Sequence, residues 1–158
     1  MTRLLSLGLA AFLALTPFAA AAQESTVDLA VEEPEVTPPF APVDGADADL
    51  DAFVWQKRPI VVFADSPLDP AFKEQIRYLK DHWAELARRD VVVITDTTPD
   101  PASDVRRTLR PRGFSLVIIA KDGTVNLRKP APWDAREIVR SIDKMPIRRD
   151  EIREQRGF

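Results

Sequence analysis

The 158-residue sequence predicts an α/β fold, a central mixed sheet of about four strands with flanking helices. Three observations carry this. Short β-branched apolar runs at 60–64, 91–95 and 114–120 have the length and composition of buried strands. Apolar residues at helical spacing fill the stretch between the first two runs and recur after residue 134. An Asp-Gly pair at 122–123 marks a hairpin turn that returns the third strand as a fourth.

The first strand, Ile60 to Ala64, is bounded by Pro59 and by Asp65-Ser66-Pro67. Asp69 then caps a helix whose first turn holds Pro70, where the missing N–H does no harm. That helix runs to about Arg89 and buries Phe72, Ile76, Leu79, Trp83 and Leu86 on one face. The second strand is Val91 to Thr95, rich in β-branched residues. Ser103 and Asp104 open a short helix, Val105 to Arg110, whose Arg106, Arg107 and Arg110 form a basic edge with Arg112. Phe114 to Ala120 and Thr124 to Arg128 make the hairpin about Lys121-Asp122-Gly123. Asp134 with Glu137 reads as a capping box for a helix burying Ile138, Val139, Ile142 and Met145, which Pro146 stops. The charged tail 147–158 is expected to form one or two surface turns. The order implies two parallel crossovers, then an antiparallel hairpin and a covering helix.

Ahead of this body, Arg3, the apolar stretch Leu4 to Leu15, Pro17 and the alanines 19–22 have the layout of a signal peptide, residues 1–22, with cleavage near Ala22. A membrane anchor is the competing reading, but the apolar stretch is shorter than the roughly 20 residues a spanning helix needs. The expectation is a periplasmic or secreted protein with no membrane span after leader cleavage. Taking 22 from 158 leaves 136 residues, enough for one domain. Residues 23–49 read as an acidic, Pro-rich linker, and 50–158 as the folded domain with its charged tail.

Charge divides along the same line. Residues 23–52 hold nine acids and no lysine or arginine, whereas from Phe53 onward 21 Lys and Arg face 16 Asp and Glu. The acidic arm can either fold back on the basic body or stay solvated. An excess of five positive charges gives little basis for nucleic-acid binding.

The element order, and the stretch from Arg112 to Val125 with its Lys-Asp-Gly turn, resemble the thioredoxin fold. In that fold a Cys-x-x-Cys motif stands between the first strand and its helix. Here the junction is Asp65-Ser66-Pro67-Leu68-Asp69-Pro70, and the chain has no cysteine at all. Thiol exchange and thiol peroxidase chemistry are thereby excluded for this chain. The resemblance places the family's cis-proline at or next to Ser115, so that element of the redox site is missing too.

Residues 53–152 more closely resemble a thioredoxin-like domain of unknown function found in exported bacterial proteins and related to the DUDES-type domain of animal extracellular matrix proteins. The matching pieces are Trp55 and Arg58, Val62 to Ala64, Gln75, Arg89 to Val92, Lys121 to Gly123, and Ile142 to Glu151. On these pieces Gln75, Arg89, Lys121, Asp143, Arg148, Arg149 and Glu151 are the candidate binding residues. For Asp143, Arg148, Arg149 and Glu151 two readings stand: a shared functional surface, or a structural ion pair locking the last helix to its tail.

Other chemistry finds little support. His82 is the only histidine and sits mid-helix beside the buried stripe, so neither a triad nor a zinc site can be assembled around it convincingly. Asp47, Asp49 and Asp51 alternate like a calcium loop, but Ala52 takes the glycine position and Arg58 that of the final glutamate. No phosphate-cradling loop is present. No catalytic residue, metal or cofactor is assigned. The expected function is a redox-inactive binding or structural module whose partner is an envelope protein or polymer met through basic edges. The alternative is a cofactor-free enzyme using Asp65, Asp69 or Asp143, which would need a carboxylate whose pKa is raised by burial.

Overall fold

The structure, a computed structural model, describes residues 36–157. The leader and the first part of the linker lie outside the described residues. Five strands form one sheet in the order β1-β3-β2-β4-β5: β1 Val43–Asp44, β2 Arg58–Phe63, β3 Val91–Asp96, β4 Ser115–Ile119 and β5 Val125–Lys129. The helices are α1 Pro70–Asp81, α2 Trp83–Ala87, α3 Asp104–Leu109, α4 Ala135–Asp143 and α5 Pro146–Gln155. Every residue of β2 and β4 is buried, as expected of strands covered on both faces.

Alternation along the strands divides the core in two. Ile60, Val62, Leu116 and Ile118 pack with Leu79, Leu86, Ile138 and Ile142 beneath α1, α2 and α4. Val61, Phe63, Val117 and Ile119 face the other way, onto Val105 and Leu109 of α3 and onto Ala48.

Several expectations need correction. β2 and β3 are parallel, but β4 runs antiparallel to β2, so only the first crossover is parallel. The connection 97–114 stays at one pole of the sheet, since Asp96 at the end of β3 and Ser115 at the start of β4 both lie opposite Phe63. β4 therefore starts at the end where β3 finished. The first helix is interrupted at His82 (φ −113°, ψ 22°), giving α1 and α2. Asp134 caps α4 through Arg136 N at 2.8 Å, but Glu137 pairs with Arg140 instead of closing a capping box.

The two ends of the domain differ most from expectation. Within the stretch read as linker, β1 pairs in parallel with β3, Ala48 is buried, and the Phe40 ring meets Trp83 edge-on at 5.4 Å. Trp83 Nε1 donates to Pro38 O at 2.6 Å. At the other end Pro146 does stop α4, but it also opens α5 in its first turn, so most of the charged tail is a helix rather than surface turns.

Candidate functional site

The sheet has two poles. At one, β2 and β3 begin and β4 ends, which brings Arg58, Asp90 and Lys121 together. Asp90 has φ of +55° in the turn before β3, and its carbonyl accepts from Arg58 N at 2.7 Å. Trp55, also left-handed at φ +63° and exposed, donates its N–H to Lys121 O at 2.6 Å. These two turns aim the charged side chains at one spot.

That spot is covered by α5. The Arg58 side chain is fully buried and donates Nη1 to Arg89 O and Nη2 to Glu151 Oε1, each at 2.8 Å. Glu151 Oε1 also lies 3.0 Å from Lys121 Nζ, while Oε2 accepts from Arg148 Nη1 at 3.0 Å. Lys121 Nζ reaches Asp90 Oδ2 at 2.7 Å. Beside them Arg89 grips Asp143 with a two-pronged fork, Nε to Oδ1 and Nη2 to Oδ2, both 2.8 Å. Arg148 Nε stands 3.8 Å from Asp143 Oδ1 and links the two groups.

Burial would push the Glu151 carboxyl up, but hydrogen bonds from Arg58, Lys121 and Arg148 together pull it down to about 2. The Arg89 fork lowers Asp143 against a smaller opposing effect of burial. Lys121 is raised: burial opposes its charge, yet contacts with Asp90 and Glu151 outweigh it. Glu151 and Asp143 are thus held as carboxylates and Lys121 as an ammonium, in a cluster that gathers Arg58, Arg89, Lys121 and Arg148 around Asp90, Asp143 and Glu151. Donors exceed acceptors, and Nε of both Arg58 and Arg148 is buried with no hydrogen-bond partner.

At the opposite pole, where the thioredoxin resemblance would put a dithiol, the β2–α1 junction is closed on its own backbone. Ser66 Oγ accepts from Leu68 N at 3.1 Å, and Asp69 Oδ1 accepts from Ala71 N at 2.8 Å as the α1 cap. Asp65 is exposed, with Oδ1 3.6 Å from Arg106 Nη1. Ser115 is buried in register with Phe63. Arg106, read from sequence as part of an exposed basic edge, is buried instead: its guanidinium lies over the Phe63 ring and donates to Ala64 O at 2.8 Å and to Asp96 Oδ1 at 2.9 Å. Burial would raise Asp96, but Arg106, Ser103 and Thr98 together hold it below the usual carboxylate range. Arg107, Arg110 and Arg112 are the exposed members of that edge.

Of the candidate residues, Arg89, Lys121, Asp143, Arg148 and Glu151 come together at the first pole. Arg149 is exposed on α5. Gln75 is elsewhere: fully buried, it accepts from Trp133 N at 2.7 Å and donates to Trp133 O at 3.1 Å, fastening the segment before α4 onto α1. Arg58 and Asp90 are the members that site selection from sequence missed. A lone arginine at the head of a fully apolar strand was the available signal for Arg58. Of the carboxylates considered as acid or base, Asp69 serves as a cap and Asp143 is held ionised by Arg89. Among the described residues no group of three or more His, Cys, Asp or Glu is placed to hold a metal. Nor is any described helix long and apolar enough to cross a membrane.

Residues 49–151 match the model of the domain of unknown function DUF4174. The chain belongs to the DUF4174 family. The matched span starts just before the 3₁₀ turn Asp51–Phe53 and ends on Glu151, so it takes in the whole charged cluster. The DUF4174 chain is also similar in structure to a chloroplastic thioredoxin z, with 22% identity and a TM-score of 0.52, covering 68% of this chain and 99% of that one. A reduced 2-Cys peroxiredoxin of Plasmodium vivax matches with 13% identity and a TM-score of 0.51, over 70% of this chain and 86% of that one. These likenesses show the fold: the domain is thioredoxin-like, without a cysteine.

Proposed function

We propose that this DUF4174 chain is an exported, redox-inactive module that binds a protein or polymer of the cell envelope through its basic surface. The observation that carries the reading is that the polar chemistry of the fold is already committed to internal partners. The thiols are absent, and Asp96, Asp143 and Glu151 are held as carboxylates by arginine and lysine neighbours. A general acid at neutral pH needs a carboxyl raised by its surroundings, and these three are lowered. What is left for a partner is the excess of lysine and arginine on the body, including exposed Arg110, Arg112 and Arg149, beside an exposed Arg107 that also pairs with Asp104. The leader-like residues 1–22 support export, with a mature protein starting near Gln23 in the periplasm or outside the cell.

Fractionation of host cells with mass determination of the full-length product tests the export claim. Recovery in the cytoplasm with Met1 to Ala22 still attached refutes it. Capture from the envelope fraction, washed with rising salt, tests the binding claim. A basic surface retains its partner at low ionic strength and releases it as charges are screened; no retention over a mutant with Arg107, Arg110, Arg112 and Arg149 changed to glutamate refutes it.

A further inference from the structure

We propose that Glu151 is a tethered occupant of a carboxylate-binding pocket, and that an acidic peptide replaces it when α5 swings out about Met145–Pro146. This rests on the binding-module reading and names the partner's chemistry and the place where it docks.

The cations that hold Glu151 Oε1 come from outside α5. Arg58 comes from β2, Lys121 from the end of β4, and both converge on one oxygen, Glu151 Oε1, at 2.8 and 3.0 Å. With α5 lifted, Arg58, Lys121 and Lys57 face Asp90 as the sole carboxylate of the pocket, and Arg89 keeps Asp143. With α5 lifted, Arg58 retains only Asp90, 3.9 Å away and shared with Lys121 and Lys57, so the opened pocket holds an excess of positive charge. Opening therefore favours exchange of one carboxylate for another over a vacant pocket. The orphaned Nε of Arg58 is a further donor for the incoming group.

α5 is built to be exchanged. It has no fully buried residue, in contrast to α4, which buries Ala135, Ile138, Val139 and Ile142. Its ties to the pocket are Glu151 and Arg148, and Arg148 leaves with it because it is on the same helix. The pivot is firm on the body side, where Met145 is buried in the core. Pro146 gives α5 its own start, separate from α4.

The test uses the full chain and fluorescein-labelled hexaglutamate, with hexalysine as control. Anisotropy should show Glu151→Ala binding hexaglutamate at least tenfold more tightly than the unaltered chain, with the gain lost in the Glu151→Ala, Lys121→Met double variant. Hydrogen exchange of amides 147–155 in the unaltered chain should quicken at saturating hexaglutamate and not with hexalysine. Equal affinity of the two chains, or unchanged α5 exchange, overturns the proposal. If Glu151→Ala does not fold, the exchange measurement on the unaltered chain decides alone. Should hexaglutamate fail while an envelope partner is still captured in a salt-sensitive way, this pocket is wrong and the broader reading stands; failure of both removes both.

Discussion

The buried guanidinium of Arg58 meets the carboxylate of Glu151 at 2.8 Å across a separation of 93 residues, tying the first residue of the central strand to the last helix. Around that contact lie Lys121 from the end of β4, Arg148 from α5 and the Arg89–Asp143 pair.

The pair should be costly to break from the Glu151 side. Glu151→Ala leaves Arg58 buried without its carboxylate, a change of about 3–5 kcal/mol. Glu137→Ala, which removes an exposed i,i+3 partner of Arg140, should cost at most about 1 kcal/mol. Urea unfolding of the two variants checks the contrast; similar midpoints would show that the Arg58 contact is not holding α5.

Acid should weaken the fold in a defined window. The folded-state pKa of Glu151 lies below its ordinary value of 4.5, at about 2, so the unfolded chain binds the proton more readily. Its contribution is complete above about pH 4.5 and is lost as the pH falls towards 2. Asp143 and Asp96, also lowered, add to the same acid-side loss. Unfolding free energy measured from pH 7 to 2 should fall over that range, and Glu151→Gln should flatten part of the slope.

At the opposite pole, Arg106→Met should destabilise by about 3–5 kcal/mol, because Asp96 loses its buried counter-charge. Arg106→Lys should restore only part of this, since an ammonium cannot span Asp96 Oδ1 and Ala64 O as the guanidinium does. Thermal unfolding distinguishes them; full recovery with lysine would mean charge alone matters there.

Residues 36–50 are expected to be part of the stable unit. A Cβ on Gly45 would lie 2.8 Å from Asp96 Cβ, so Gly45→Ala should cost about 1–3 kcal/mol through overpacking. Removing Gln23 to Ala46 takes away Phe40, β1 and the Pro38 contact, and should lower the thermal midpoint clearly. A deletion with no effect would show that these contacts contribute nothing to stability.

Much of the fold was readable because local patterns are strong where burial is two-sided. The β-branched runs found β2, β3 and β4, Asp69-Pro70 located the start of α1, and Asp122-Gly123 located the hairpin, in which Gly123 has φ +82° and Asp122 accepts from Thr124. Segments with weak local signals escaped. β1 has two residues, enough for pairing with β3 but not for a visible alternation. α5 is mostly charged, and its place depends on cations from distant strands rather than on an apolar stripe.

Composition and local order were sufficient to specify a cysteine-free α/β domain with a thioredoxin-like succession of elements, because strand and helix periodicities and turn chemistry act over a few residues. Folding alone decided the direction of β4, the burial of Arg58 and Arg106, and the separation of Gln75 from the charged cluster. Each depends on contacts between residues far apart in the chain. In sequence, a buried charge met by its counter-ion looks the same as a solvated one, and the two are told apart only when the partner arrives in space.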